Sequence, residues 1–126
     1  MQQILPRLSY IVSVYFNQAD RDHFLTVLLR QYESYPKEIM QYIQFVIVDD
    51  GSPQPVALPK DINLNIKLLR ILQDIAWNSD GGRNLGVVYA PTSKILLTDI
   101  DHDFPPELLA MMLKAKTPTN ELYTFK

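Results

Sequence analysis

The sequence predicts an α/β domain built on a mostly parallel sheet flanked by helices. Three observations carry this reading. Short apolar, β-branched or aromatic runs recur along the chain, at residues 10–16 (YIVSVYF), 44–49, 66–72 (IKLLRIL) and 94–98 (KILLT). Helical patterns fill most of the intervals between them, and strand–helix alternation is the signature of a parallel sheet. Carboxylates then gather where strands stop: Asp49 and Asp50 after FVIV, Asp99 and Asp101 after KILLT. In open α/β sheets ligands bind outside the carboxyl ends of the strands.

Taken in order, residues 10–16 form the first strand and 17–20 a loop, with Asp20 placed to cap the helix that follows. RDHFLTVLLRQYESY sets Phe24, Val27, Leu28, Gln31 and Tyr32 at helical spacing, which predicts an amphipathic helix with those residues on one face. Pro36 ends it and opens a short helix through Tyr42. Phe45, Val46, Ile47 and Val48 are apolar without alternation, so the second strand is expected to be buried on both faces. Gly51, Ser52 and Pro53 stop it, and residues 52–61, with three prolines, read as a surface loop. The third strand spans 66–72, a helix with glycines at its start spans 80–90 and halts before Pro91, and the fourth strand ends in DIDHDF. Pro105 and Pro106 begin the last helix, with Leu108, Leu109, Met112 and Leu113 on its apolar side.

Composition narrows the function. The 126 residues read as a single domain, and 47% of them are hydrophobic, enough for a packed core. A formal net charge of −2 gives no reason to expect nucleic acid as a partner. The absence of cysteine excludes disulfides and thiolate metal sites. The N-terminus lacks the pattern of a secretory signal, and no apolar run is long enough to span a bilayer. A cytoplasmic domain is the expectation, with peripheral association at a membrane left open.

Three stretches could carry chemistry. One aspartate after FVIV is explained by turn hydrogen bonding, but two adjacent ones leave a remainder. In TDIDHDF, Asp99 and Asp101 point the same way if the backbone is extended, about 7 Å apart. Such a pair can share a hard cation, and Mg²⁺ is often held by one or two carboxylates plus substrate phosphates. The competing reading is a solvated acidic loop with Asp103 capping the helix. The position after a buried strand, opposite a second acidic strand end, favours the metal. GGRNLG fails both phosphate-loop patterns: Arg83 stands where the dinucleotide fingerprint needs glycine, and no Gly-Lys-Ser/Thr follows. What remains is a glycine-rich helix start, suited to anions, with Arg83 able to add a forked contact; a plain turn with a surface arginine is the equal alternative. His23 is expected to be exposed, His102 is a surface or supporting residue before it is a ligand, and Trp77 is core before it is a stacking platform.

These pieces in order, SVYFN, VDDGSP, WNSDGGRNLG and LLTDIDHDFPPELL, resemble the inverting family 2 glycosyltransferases, which have the Rossmann-like GT-A fold. The resemblance covers nearly the whole chain and corresponds to the N-terminal, nucleotide-sugar-binding portion of that family. It implies transfer of a sugar from a nucleotide-diphosphate sugar, a UDP-sugar first of all, to an acceptor hydroxyl, with Mn²⁺ or Mg²⁺ as cofactor. Tyr15, Phe16 and Asn17 match the strand end that borders the base. Asp49 and Asp50 match the aspartate pair, one of which hydrogen-bonds the base. Arg83 and Asn84 match the Arg-Asn near the nucleotide. Asp99 matches the first aspartate of Asp-x-Asp, at ribose or metal, and Asp101 the second, the metal ligand. His102 stands where a third acid is common. The family's catalytic base and acceptor region lie beyond the helix that follows Asp-x-Asp, and no residue of this chain matches the base.

Two other functions compete. A nucleotide-sugar-binding module without catalysis would share every motif above. A receiver-like signalling domain would also cluster acids at strand ends, but IKLLRIL reaches no acid until Asp74. The acceptor is not legible. Leu122, Tyr123 and Phe125 leave apolar surface near the end of the chain, so pairing with a second copy or with a further segment is expected.

Overall fold

A computed structural model describes residues 4–17, 23–72 and 79–116. Asp20, Trp77 and the apolar residues of the C-terminal stretch lie outside them. Along the described chain run β1 (Leu8–Val14), α1 (His23–Glu33), α2 (Lys37–Met40), β2 (Ile43–Asp50), β3 (Asn65–Ile71), α3 (Ser79–Tyr89), β4 (Ile95–Thr98) and α4 (Pro106–Lys114). The strands form one four-stranded sheet in the order β3-β2-β1-β4, and every pairing in it is parallel.

Alternation along the strands sorts side chains onto two cores. Leu8, Tyr10, Val12 and Val14 of β1 join Ile43, Phe45 and Ile47 of β2 on the face covered by α1, α2 and α4. Ile11, Val46 and Val48 face the other way, against Leu85 of α3. The expectation that FVIV is buried on both faces holds, because β2 is an interior strand with a helix layer on either side.

The apolar face of α1 differs from the one the spacing suggested. Leu25, Leu28, Leu29 and Tyr32 are buried, whereas Phe24 and Val27 are 52% and 61% exposed. Two overlapping stripes, 24/27/28/31/32 and 25/28/29/32, both satisfy helical periodicity and share Leu28 and Tyr32. The second carries more aliphatic surface to bury, so it faces the sheet.

Two glycines set how closely α3 approaches the sheet. A Cβ at Gly82 would overlap Ser13 Oγ, and a Cβ at Gly86 would overlap Ile11 Cγ2. They sit four residues apart, on one face of the helix, and let its backbone lie against β1. Gly82 and Gly86 of GGRNLG thus serve packing. At the other end of the molecule the Lys94 ammonium donates to the carbonyls of Met112 (2.6 Å) and Ala115 (2.6 Å), the last turn of α4 and its exit.

Gly86→Ala gains helix propensity worth about 1 kcal/mol but overpacks a site that costs about 1–3 kcal/mol to crowd. A net loss of stability is expected in urea denaturation. Ile11→Ala should cost less in the Gly86→Ala background than alone, since it makes the room the new methyl needs. Additive losses would show that the two residues do not share the contact.

Candidate functional site

The chain places β2 and β3 successively to one side of β1, then returns β4 to the other side. The strand order therefore reverses between β1 and β4, and the crevice at their carboxyl ends is where such folds bind ligands. Tyr15, Phe16 and Asn17 follow β1, and Asp99 to Asp103 follow β4.

Asp49 closes the loop after β2. Its carboxylate is 1% exposed; Oδ1 accepts from the Ser52 amide (3.0 Å) and Oδ2 from the Val56 amide (2.9 Å). Arg70 Nε lies 3.7 Å from Oδ2, and Arg70 also donates to the Ser52 carbonyl. Gly51 adopts φ 77°, a left-handed turn that suits glycine. Ser52 Oγ then accepts from the Phe16 amide (3.0 Å), so the loop after β2 holds the end of β1. Asp49 and Ser52 are loop builders. Asp50, one residue on, faces the opposite side of the sheet, and its Cβ lies 3.8 Å from where a Cβ at Gly82 would stand. Only Asp50 of the pair is thus directed toward the start of α3. Both are buried, Asp49 under the loop that follows β2 and Asp50 on the face that α3 covers.

The backbone after β4 is not extended. The His102 amide donates to the Asp99 carbonyl (3.1 Å), closing a turn. That turn gathers Asp99, Asp101 and His102, whose candidate ligand atoms all lie within 4.8 Å of one another. His102, left undecided by the sequence, belongs to the cluster; only the turn could reveal it. Asp103 does not cap α4, whose N-cap is Pro105. Its carboxylate instead accepts from Gln31 Nε2 on α1 (2.7 Å).

A buried hydrogen-bond chain fixes this turn to the core. The Phe104 amide donates to Tyr32 Oη (3.0 Å), the Tyr32 and Tyr10 hydroxyls are 3.0 Å apart, and Tyr10 donates to the His102 carbonyl (3.4 Å). Burial pushes both phenols above their ordinary values, so each keeps its proton. Tyr35 adds a bond to the Phe104 carbonyl (2.8 Å).

Across the crevice, Arg83 on the second turn of α3 pairs with Asp99 through Nη2 and Oδ1. The structure thus joins two motifs that lie 16 residues apart. Asn84 is exposed beside Arg83. On the α1 side, Phe24, Val27, Leu28, Gln31 and Ile100 line a shallow cavity of about 190 Å³ that the Asp101–Asp103 turn completes. The exposed stripe of α1 is its wall, a feature the sequence pattern concealed by offering it as core.

No family model matches the sequence, and no curated protein matches it. Solved structures do. Residues 1–349 of S. aureus TarS share the fold with a TM-score of 0.60 and 22% identity over 82% of this chain. TarS 1–349 in complex with UDP aligns with a TM-score of 0.53 and 22% identity over 75% of it. The chain spans 30% and 27% of those two structures. The chain therefore shares the fold of TarS, an α/β fold with a parallel sheet flanked by helices, as the sequence implied.

Two substitutions separate the scaffolding from the chemistry. Asp49→Ala removes the acceptor of two buried amides, while Arg70, 36% exposed, keeps the Ser52 carbonyl, so urea denaturation should show a loss of about 1–3 kcal/mol for each stranded amide. Asp49→Asn, which keeps one acceptor oxygen, should lose less; equal stability for both and the parent chain would remove Asp49 from this role. Tyr32→Phe strands the Phe104 amide and should cost about 1–3 kcal/mol. Amide hydrogen exchange should then quicken at Phe104, and an unchanged rate there would show that the tyrosine chain does not hold the turn.

Proposed function

We propose that this chain binds a nucleotide-diphosphate sugar, a UDP-sugar first of all, as the donor-binding part of an inverting, metal-dependent glycosyltransferase of the family 2 type. The observation that carries the reading is the meeting of Arg83 with the Asp99–Asp101–His102 turn at the strand-order reversal. The shared fold with TarS, a protein also solved with UDP, supports it.

The donor atoms at the turn suit a hard divalent cation. Two carboxylates and one imidazole within 4.8 Å fit Mn²⁺ or Mg²⁺ and leave positions for phosphate oxygens. Asp101 and Asp99 would hold the ion, with His102 beside them. When bound, the ion neutralises charge on the leaving diphosphate. In transfer, the acceptor oxygen forms a bond to the sugar's C1 while the C1–O bond to the diphosphate breaks. A general base takes the hydroxyl proton. Arg83 and the amino end of α3 meet the negative charge that grows on the leaving group. Tyr15, Phe16, Asn17 and Asp50 border the base, with Asn84 near the nucleotide.

A binding module without catalysis is the second reading. Asp103, the next carboxylate along the chain after the turn, already accepts from Gln31. A donor-hydrolysis and transfer assay separates the two readings.

Calorimetry tests the shared part. Mn²⁺ should tighten UDP by roughly 5- to 150-fold, the usual range of coupling between sites. Asp101→Asn should abolish most of that gain without unfolding the chain, since its side chain is 78% exposed. Equal UDP affinity in chelator and in Mn²⁺ would refute the metal role.

A further inference from the structure

The ion pair between Arg83 and Asp99 has a consequence for how the two ligands enter. We infer that Arg83 is an interlock: it occupies Asp99 while the site is empty and is drawn off by the donor's diphosphate, so that nucleotide and divalent cation admit one another. This deepens the proposed donor-binding reading and rests on it.

The argument is one of competing partners. Asp99 Oδ1 faces Arg83 Nη2, and the same carboxylate belongs to the only group of candidate metal ligands among the described residues. A cation approaching Asp99 meets a guanidinium already there, and like charges at contact repel. A diphosphate offers Arg83 a better match, because a guanidinium fork binds phosphate oxygens in a planar, two-point geometry. Arg83 is also placed to make the exchange. It lies at the amino-terminal part of α3, where backbone dipoles favour the same anion, and Gly82 brings that turn against β1. Asp101 and His102, 3.9 Å apart at Oδ1 and Nε2, lie outside the Arg83–Asp99 contact and keep a partial ligand set for the ion. The side chains of Arg83 and Asp99 are 34% and 53% exposed, so the pair is of the solvent-screened kind whose exchange is easy. Metal and diphosphate then help each other twice over: directly, by their opposite charges, and indirectly, because each releases the partner that the other needs.

The test is calorimetry on the full chain with Mn²⁺, UDP and uridine, for the parent protein, Arg83→Met and Arg83→Lys. In Arg83→Met, Mn²⁺ alone should bind about two- to fivefold tighter, the worth of an exposed ion pair, while UDP alone should bind about tenfold weaker or worse. The factor by which Mn²⁺ and UDP strengthen each other should shrink. Arg83→Lys keeps the charge but loses the fork, so Mn²⁺ alone should bind as in the parent while UDP still weakens. Uridine, which has no phosphate, should leave Mn²⁺ affinity unchanged in the parent. Mn²⁺ binding that is unchanged or weaker in Arg83→Met overturns the interlock. Asp101→Asn distinguishes this from failure of the site itself: if Mn²⁺ binding in the parent does not depend on Asp101, the metal reading falls and the interlock with it.

Discussion

The buried carboxylate of Asp49 is the constraint on which the site end of this molecule depends. It terminates β2 by accepting from the Ser52 and Val56 amides, and it holds Arg70 beside it. A buried charge is tolerated only when such partners replace water. The partners here are the backbone of the next loop, so satisfying the charge and shaping the loop are one event. Ser52 passes the effect to β1 by accepting the Phe16 amide. The ends of two neighbouring strands are thereby set by one side chain, which is why the crevice has a defined floor.

The other wall is set by packing. α3 can lie close to β1 because Gly82 and Gly86 present no Cβ to Ser13 and Ile11. That closeness brings Arg83 within reach of Asp99 beyond the carboxyl ends of β1 and β4. The acidic turn is in turn fixed from the α1 side by Tyr32, Tyr35 and Gln31. Three anchorages, one ionic, one steric and one a chain of hydroxyls, hold the end of β1, helix α3 and the acidic turn respectively.

Much of this was legible in the sequence. Strand existence follows from apolar runs such as FVIV, and the alternation with helices implies a parallel sheet. The four motifs, with Tyr15, Asp50, Arg83, Asp99 and Asp101 among them, come to the carboxyl ends of the strands as expected. What could not be read is whatever depends on direction within a motif. The adjacent Asp49 and Asp50 look equivalent, yet the pleat of β2 sends one to the loop and the other toward α3. The glycines of GGRNLG suggested an anion loop, whereas close packing of helix on strand asks for glycine just as strongly. Helical periodicity could not choose between two stripes of α1 that share Leu28 and Tyr32. The extended spacing of Asp99 and Asp101 gave way to a turn, and only that turn reveals His102.

The division between buried and exposed residues gives the site its meaning. Asp49, Tyr10 and Tyr32 are buried and fully engaged within the protein. Asp101 and His102 have side chains 78% and 62% exposed, and their recorded contact is the long one with each other. Folding is served by the first group and gains little from the second, since exposed pairs at 3.9 Å contribute little to stability. The proposed donor-binding reading accounts for a buried tyrosine chain that fixes the backbone of a solvent-facing acidic turn. Positioned, exposed carboxylates beside an arginine match the charge pattern of a diphosphate with its cation, with Arg83 complementary to the anion and Asp101 to the metal.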